Sequence, residues 1–146
     1  MDELIQQLKI AFANTFVFHV KAWGYHWNVE GADFYEFHKL FEEIYSEVQG
    51  SVDSFAEHIR QLQSYAPGTV ERFKQLSEVQ ESTKIPAALE MVNDLLSENE
   101  TILRSLQSAY DLAEANKEHA LSNFLADRME AHKKHAWFLR STLKNR

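Results

Sequence analysis

Two pairs of metal-binding side chains stand out in one stretch of the sequence, residues 38–58. His38 and Glu42 form the first pair, and Asp53 and Glu57 form the second. Each pair has the four-residue spacing that places two side chains next to each other on a helix. Imidazole and carboxylate groups together suit a hard or borderline metal ion. The stretch therefore predicts two half-sites for metal.

The two half-sites are too far apart on one helix to bind the same ion. Glu42 and Asp53 are eleven residues apart, which corresponds to about 16 Å along a helix axis, whereas metal–ligand bonds are about 2 Å long. At about 100° per residue, both pairs still fall on one stripe. The apolar residues fall on the opposite side of the helix: Phe37, Phe41, Ile44, Val48, Phe55, Ile59 and Leu62. The metal-binding stripe is therefore predicted to face away from the core.

A second copy of the chain would complete both half-sites. If the same helix of a partner packs antiparallel about a two-fold axis near Glu47 and Val48, the first pair of each chain faces the second pair of the other. Small residues lie between the pairs and allow two helices to approach: Ser46, Gly50 and Ser54. The alternative is a solvated charged face with a surface histidine, and helix geometry alone leaves both interpretations open.

The elements that position these residues are predicted to be helices. Helix A runs from about Asp2 to Trp27, and helix B runs from a capping box of Asp33 and Glu36 to about Ser64. Helix C begins near Pro86, and helix D begins after Asn116. A short amphipathic segment at 70–79 lies in the long connection between B and C. Two antiparallel hairpins joined by one long crossover predict an all-α, ferritin-like four-helix bundle, with residues 1–146 as a single domain.

Two polar residues are predicted inside this bundle. Asn99 falls in the core row of helix C, whose apolar members are Ile85, Leu89, Val92, Leu96, Leu103, Leu106, Tyr110 and Ala113. His132 falls on the apolar stripe of helix D, which carries Leu121, Leu125, Leu139 and Leu143. We expect His132, and also His19 on helix A, to pack rather than to bind metal.

The composition excludes several classes of protein. The chain has 146 residues, of which 45% are hydrophobic and 25% charged, as in ordinary globular proteins. It has no cysteine, which excludes disulfides, thiolate metal sites and iron–sulfur clusters. Its first residues lack the basic start and apolar run of a signal peptide, and no stretch has the uninterrupted hydrophobicity of a membrane span. We therefore expect a cytoplasmic protein. The net charge of −7 disfavours general nucleic-acid binding.

Residues 26–60, which contain HWNVEGADFYEFHKLFEEIY and VDSFAEHIR, resemble the signature of Dps-type mini-ferritins (DNA-binding protein from starved cells). That family has a His-Trp-Asn near the end of helix A, a second histidine twelve residues later and a carboxylate four residues after that. An Asp-x-x-Ala-Glu motif follows further along helix B. In this chain the matching residues are His26, Trp27, Asn28, His38, Glu42, Asp53, Ala56 and Glu57.

The resemblance implies a shell of twelve chains with 23 symmetry. It implies that Fe(II) is oxidised by hydrogen peroxide or dioxygen at di-iron sites between subunits, that ferric mineral is stored inside, and that the cell is protected from oxidative damage. The implied iron ligands are His26, His38 and Glu42 of one subunit, with Asp53 and Glu57 of its two-fold mate. His26 enters only through the resemblance, because it lies on another helix.

One residue departs from the family pattern, which usually has aspartate where this chain has Glu42. The longer side chain is expected to weaken the second iron position. The departure also keeps an alternative open, namely a shell protein that sequesters metal at a degraded, poorly active ferroxidase site. The Glu-x-x-His motif of larger ferritins is absent from the sequence, so we do not expect a di-iron centre inside the bundle.

Three further groups of residues have weaker functional interpretations. Packing is the expected role of four aromatic residues near the proposed site, and the alternative is that they take up stray oxidising equivalents: Trp23, Tyr25, Trp27 and Tyr45. An acidic group near the C–D junction is either an ordinary solvated helix end or the lining of a three-fold iron-entry pore: Asp111, Glu114 and Glu118. We do not expect DNA binding, because the N-terminus is short and acidic and little chain follows helix D.

Overall fold

The computed structural model describes residues 1–146 and contains six helices and no strand. The helices are α1 (Asp2–Asn28), α2 (Phe34–Gln49), α3 (Val52–Gln61), α4 (Val70–Leu76), α5 (Ala88–Ala115) and α6 (His119–Leu143). α1 packs against α2 and α5, and α5 packs against α6. The short helix α4 lies in the crossover and packs on α1. The predicted all-α bundle with a helix in its long crossover is confirmed. None of the helices has both the length and the hydrophobicity needed to cross a membrane.

The predicted helix B is interrupted, so the prediction of one continuous helix was wrong. Gly50 and Ser51 form a turn that separates α2 from α3. The Ser51 backbone N–H donates to the Val48 carbonyl oxygen at 3.0 Å, and the Ser51 hydroxyl donates to the same oxygen at 2.6 Å. Local bonds of this kind compete with the regular helical pattern, and Gly/Ser pairs are recurrent sites of helix kinks.

The predicted capping box at the start of α2 was also wrong. Asp33 precedes the helix, but its side chain makes no capping hydrogen bond. Its carboxylate instead accepts a hydrogen bond from Arg146 at 2.6 Å. The capping role is lost because a guanidinium, which is a charged donor, binds the carboxylate in place of the neutral backbone N–H groups.

The buried face of helix B is the face that the sequence predicted. Its buried residues are Phe37, Phe41, Ile44 and Val48 on α2, and Phe55 and Ile59 on α3. Leu62, the last residue of the predicted row, is half-buried. The small residues Ser46, Gly50 and Ser54 are exposed on the opposite face.

The predicted core row of helix C was only partly correct. Val92, Asn99, Leu106 and Ala113 are buried, but Ile85 is 60% exposed and Leu89 is 40% exposed. α5 also buries six residues outside the predicted row: Met91, Leu95, Glu98, Ile102, Ser105 and Ala109. The buried face is therefore displaced to one side of the predicted row. Ile85 is excluded from it because the helix begins only at Ala88.

A buried polar network connects α2, α5 and α6. The Asn99 amide donates to the His132 carbonyl oxygen at 2.8 Å, and its own oxygen accepts from His132 Nδ1 at 2.7 Å. His132 Nε2 then accepts from Arg128 at 3.3 Å. Arg128 donates through both terminal nitrogens to Glu47, which also accepts from His135 Nε2 at 2.8 Å. Asn99 and His132 are thus buried, as the sequence predicted, and the structure shows that they are hydrogen-bonded to each other.

Candidate metal centre

The end of α1 and the first half of α2 bring three of the five predicted ligands together. The rings of His26 and His38 stack with their centroids 3.8 Å apart and their planes 15° apart. His26 Nε2 lies 3.9 Å from Glu42 Oε1. His26 is buried, whereas His38 and Glu42 are half-buried. These three residues form the histidine half-site.

Two reciprocal hydrogen bonds fix the orientation of both imidazoles. His26 Nδ1 donates to the His38 carbonyl oxygen at 2.7 Å, and His38 Nδ1 donates to the His26 carbonyl oxygen at 2.7 Å. Because a carbonyl oxygen only accepts, each Nδ1 carries a proton, which leaves Nε2 as the nitrogen that can bind a metal. Histidines that bind metals usually donate their second ring N–H in this way. Both rings are therefore prepared to bind a metal through Nε2.

The turn between α1 and α2 places the two histidines next to each other. α1 ends at Asn28, and the Val29 N–H donates to the Tyr25 carbonyl oxygen at 2.9 Å. Val29 is buried and holds the turn against the core. Gly31 has φ of +116°, a conformation in which a residue with a Cβ is strained. The chain reverses here, so that residues 26 and 38 meet across the two helices.

The second pair of predicted ligands is not part of this half-site. Asp53 and Glu57 lie on α3 and are exposed to solvent. No group of three or more histidine, aspartate or glutamate side chains in the single chain is arranged to hold a metal ion. One chain therefore brings three of the five predicted ligands together and leaves the other two apart from them.

Aromatic side chains surround the buried face of the histidine half-site. The Tyr45 ring centroid is 5.1 Å from that of His26 and 5.9 Å from that of Trp23. Trp27 packs against Trp23 at 4.8 Å and is 59% exposed. Tyr25 turns away and donates to Asp94 on α5 at 2.6 Å. Burial, together with this hydrogen bond and the Asp94 charge, raises the pKa of Tyr25.

The sequence analysis missed a lysine beside the half-site. Lys39 Nζ lies 3.6 Å from Glu42 Oε2, and both side chains are partly exposed. The three-residue spacing is a known signal for an ion pair on a helix. The Glu42 carboxylate therefore lies between a lysine and the Nε2 edge of His26.

The other histidines considered from the sequence have no metal-binding arrangement. His19 is buried and stacks on Trp23 at 5.3 Å, with neither ring nitrogen hydrogen-bonded. Burial lowers the pKa of His19. His132 is fully buried in the polar network, and its pKa is lowered well below the usual value by burial, and further by the charges of Arg128 and His135. The packing role predicted for His19 and His132 agrees with their burial.

The acidic residues predicted near the C–D junction lie around the end of α5. Asp111 and Glu114 are exposed, and Glu118 is half-buried immediately before α6. Asp111 accepts a hydrogen bond from Gln107 at 3.0 Å. Their proposed role at a three-fold pore stays a prediction.

Comparison with known proteins decides the family. A ferritin-like domain model matches residues 5–146. The DNA protection during starvation protein of Brevibacillus brevis is 32% identical over 149 residues, covering 98% of this chain and 99% of the relative. The chain belongs to the ferritin-like family, as a Dps-type mini-ferritin.

Two further relatives support this family assignment. An uncharacterized low temperature-induced protein of Nostoc is 34% identical to this mini-ferritin over 140 residues, covering 94% of this chain and 78% of the relative. The crystal structure of a Dps protein from Vibrio cholerae superposes with a TM-score of 0.93 at 27% identity, covering 98% of this chain and 90% of that one. The predicted ferritin-like fold is confirmed. Iron storage and protection against oxidative damage are the general functions that the family supports.

Proposed function

We propose that this mini-ferritin oxidises Fe(II) with hydrogen peroxide or dioxygen and stores the ferric product in a cytoplasmic shell of twelve chains with 23 symmetry. The observation that carries the proposal is the pair of His26 and His38 rings, which donate Nδ1–H to backbone and keep both Nε2 atoms free. Histidines that bind metals usually donate the second ring N–H to a fixed acceptor in this way, which supports a metal site at this pair. The crystallised Vibrio cholerae relative is described as a member of a superfamily of ferritin-like diiron-carboxylate proteins, which supports the same metal.

The proposed ligands come from two subunits. His26, His38 and Glu42 of one chain would meet Asp53 of the partner subunit and the partner's Glu57 across the two-fold axis. Three observations support this arrangement. The α3 carboxylates are exposed, the small residues between the two pairs are exposed on the same helix pair, and the single chain holds no complete ligand set. An antiparallel partner would then lay its α3 against α2.

The mixed ligand set suits an oxidation that begins with Fe(II) and ends with Fe(III). Imidazole nitrogens favour Fe(II), and carboxylates stabilise the harder Fe(III) as it forms. Two Fe(II) ions, one peroxide and two protons give two Fe(III) ions and two waters, so paired irons supply both electrons together. Reduction of peroxide by one electron would instead release a hydroxyl radical.

A second candidate function is metal sequestration with slow or absent turnover. It is favoured by Glu42, which stands where the family usually has aspartate and already pairs with Lys39 at 3.6 Å. On either function, we expect the second iron position to be weaker than the first. Stopped-flow absorbance after mixing the protein with Fe(II) and peroxide separates the two functions. A ferroxidase should produce ferric absorbance faster than Fe(II) and peroxide do without protein, whereas a sequestering protein should not.

Co-assembly of two inactive variants tests the shared site. The first variant is His38→Ala/Glu42→Ala, and the second is Asp53→Ala/Glu57→Ala. Each variant alone loses two ligands from every site, whereas a heterodimer of the two rebuilds one complete site and leaves the other with His26 alone. Random mixing in equal amounts makes half of the dimers heterodimers and should restore about a quarter of the wild-type sites.

The readouts are the Zn²⁺ or Co²⁺ stoichiometry per shell and the rate of Fe(II) oxidation. Shells of each variant mixed only after assembly serve as the control, and they should show no recovery. Recovery of neither metal sites nor oxidation in co-assembled shells of the correct size would refute the shared site. Full activity in either variant alone would show that one half is sufficient.

A further inference from the structure

The interruption between α2 and α3 lies close to the centre of the metal-binding stripe. His38 and Glu57 are placed symmetrically about a point between residues 47 and 48, and so are Glu42 and Asp53. The turn at Gly50 and Ser51 follows within one helical turn of this point. His38 and Glu42 therefore precede the turn, and Asp53 and Glu57 follow it.

Hydrogen bonds from one residue hold the interruption in place. Ser51 is buried, with 7% exposure, although it belongs to a helix whose neighbouring serines are exposed. Both its hydroxyl and its N–H donate to the Val48 carbonyl oxygen. In a regular helix, the Val48 carbonyl oxygen would accept a hydrogen bond from the Val52 N–H. Two hydrogen bonds from Ser51 to this oxygen favour a tighter local turn. Gly50 adds no side chain to resist it.

The direction of α3 after this turn decides where the second pair of ligands lies. Glu57 is six residues beyond Ser51, or about 9 Å along the helix axis. A change of 10° in the direction of α3 would therefore move Glu57 by roughly 1.5 Å. Functional sites require ligand positions to be held within about 0.5 Å, so the direction in which α3 leaves the turn is a geometric determinant of any site that uses α3.

We propose that the Gly50–Ser51 turn is the device that aligns the α3 carboxylates with the histidine half-site of a two-fold partner, and that Ser51 is a positioning residue for metal binding. This inference deepens the proposed function and depends on it. Ser51 contacts no proposed ligand. It acts through the backbone, by keeping α3 at the angle that brings Asp53 and Glu57 to the partner's half-site. In a two-fold dimer, the same turn sets both sites together.

The test replaces the turn by good helix formers in the full-length protein. The Gly50→Ala/Ser51→Ala variant loses the hydroxyl bond and favours a continuous helix. We expect its shells to bind Co²⁺ at least about tenfold more weakly by calorimetry, the range found when groups that orient metal ligands are removed. Its crystal structure should show a straightened helix B. Ser51→Thr retains the hydroxyl and should retain wild-type affinity.

Ser105→Ala is the matched control. The Ser105 hydroxyl is buried and donates to the Ile102 carbonyl oxygen at 2.8 Å, three residues back, but α5 stays continuous around it. Its loss should lower the melting temperature without changing Co²⁺ affinity. If the double variant does not assemble, the single Ser51→Ala variant replaces it, with a smaller expected weakening because Gly50 still disfavours a continuous helix.

The proposal would be overturned if either the Ser51→Ala variant or the double variant assembled and bound Co²⁺ with unchanged affinity. This holds whether or not helix B becomes continuous in that variant. An equal loss of affinity in the Ser105→Ala control would also overturn it, because the effect would then be general destabilisation. Failure of the wild-type shell to bind Co²⁺ between subunits would contradict the proposed function itself. The two failures are therefore distinguishable.

Discussion

Replacement of Glu47 by leucine removes the central acceptor of the polar network between α2 and α6. Arg128 is 6% exposed, and Glu47 is the only carboxylate that pairs with it. Loss of one partner of a buried ion pair costs about 3–5 kcal/mol, because the remaining charge is uncompensated. The Glu47 side chain is 38% exposed, so water reaches the pair, and we expect the lower end of this range, about 3 kcal/mol.

The double variant Glu47→Leu/Arg128→Met separates this cause from lost packing. It removes both charges and replaces them with apolar side chains of similar size. Such replacements of a whole buried pair are often neutral, so we expect the double variant to lie within about 1 kcal/mol of the wild type. The difference between the two variants measures the cost of leaving the arginine alone.

Thermal unfolding at pH 7, with the assembly state followed by light scattering, provides the measurement. For a chain of this size, 3 kcal/mol corresponds to a drop in melting temperature of about 6–12 °C. The drop should appear in the single variant and largely disappear in the double variant. If the double variant is as unstable as the single one, the reasoning from an uncompensated buried charge is refuted.

The same network predicts the dependence of this stabilisation on pH. Burial alone raises the pKa of Glu47, but the hydrogen bonds from His135 and Arg128 and the Arg128 charge outweigh it and hold the pKa well below its usual value of 4.5. A carboxyl group with a lowered pKa in the folded state stabilises the fold above its unfolded pKa and loses that contribution as the pH falls. The stability difference between wild type and Glu47→Gln should therefore be complete at pH 7 and shrink below pH 4.5. A difference that stays constant down to pH 3 would contradict this assignment.

Three further outcomes are expected from other parts of the molecule. Lys39→Gln frees the Glu42 carboxylate and should tighten the weaker metal position by about two- to fivefold, the scale of an exposed ion pair; weaker binding by calorimetry would show that Lys39 assists the site. Neutralising Asp111, Glu114 and Glu118 together should slow iron uptake by intact shells without changing Co²⁺ affinity, and unchanged uptake rates would remove the pore interpretation. A gel-shift assay at low salt should show no retarded DNA band, since the chain has a net charge of −7; a clear retarded band would show that local basic groups overcome this charge.

Helical periodicity was sufficient to predict most of the fold because the buried faces of the helices are strongly apolar. α1 begins at the predicted residue, and α6 begins close to where Asn116 ends the preceding helix. Asn99 and His132 were placed correctly because helical spacing locates a buried polar residue in the same way as a buried leucine. Exceptions occur where the buried face is displaced from the predicted apolar row, as at Leu89, which is exposed.

The errors arose where a specific hydrogen bond decides between two local structures. A serine after a glycine near the middle of an apolar stripe gives no periodic signal, and the bond from Ser51 to Val48 appears only in three dimensions. The absent cap at Asp33 has the same origin, because its partner Arg146 is distant in sequence. The reciprocal bonds between His26 and His38 depend on a helix reversal and were likewise inaccessible to spacing.

The division of the proposed ligands between two separate half-sites of one chain has a consequence for iron chemistry on the proposed assembly. A complete site in the monomer would oxidise Fe(II) wherever the chain was present, including before any enclosed space existed for the product. The histidine half-site instead presents two free Nε2 atoms and one carboxylate that is shared with Lys39. The carboxylates that favour Fe(III) would arrive only with a second subunit. Oxidation would thus be coupled to assembly, and the angle of α3 at Ser51 would decide how well the two halves fit.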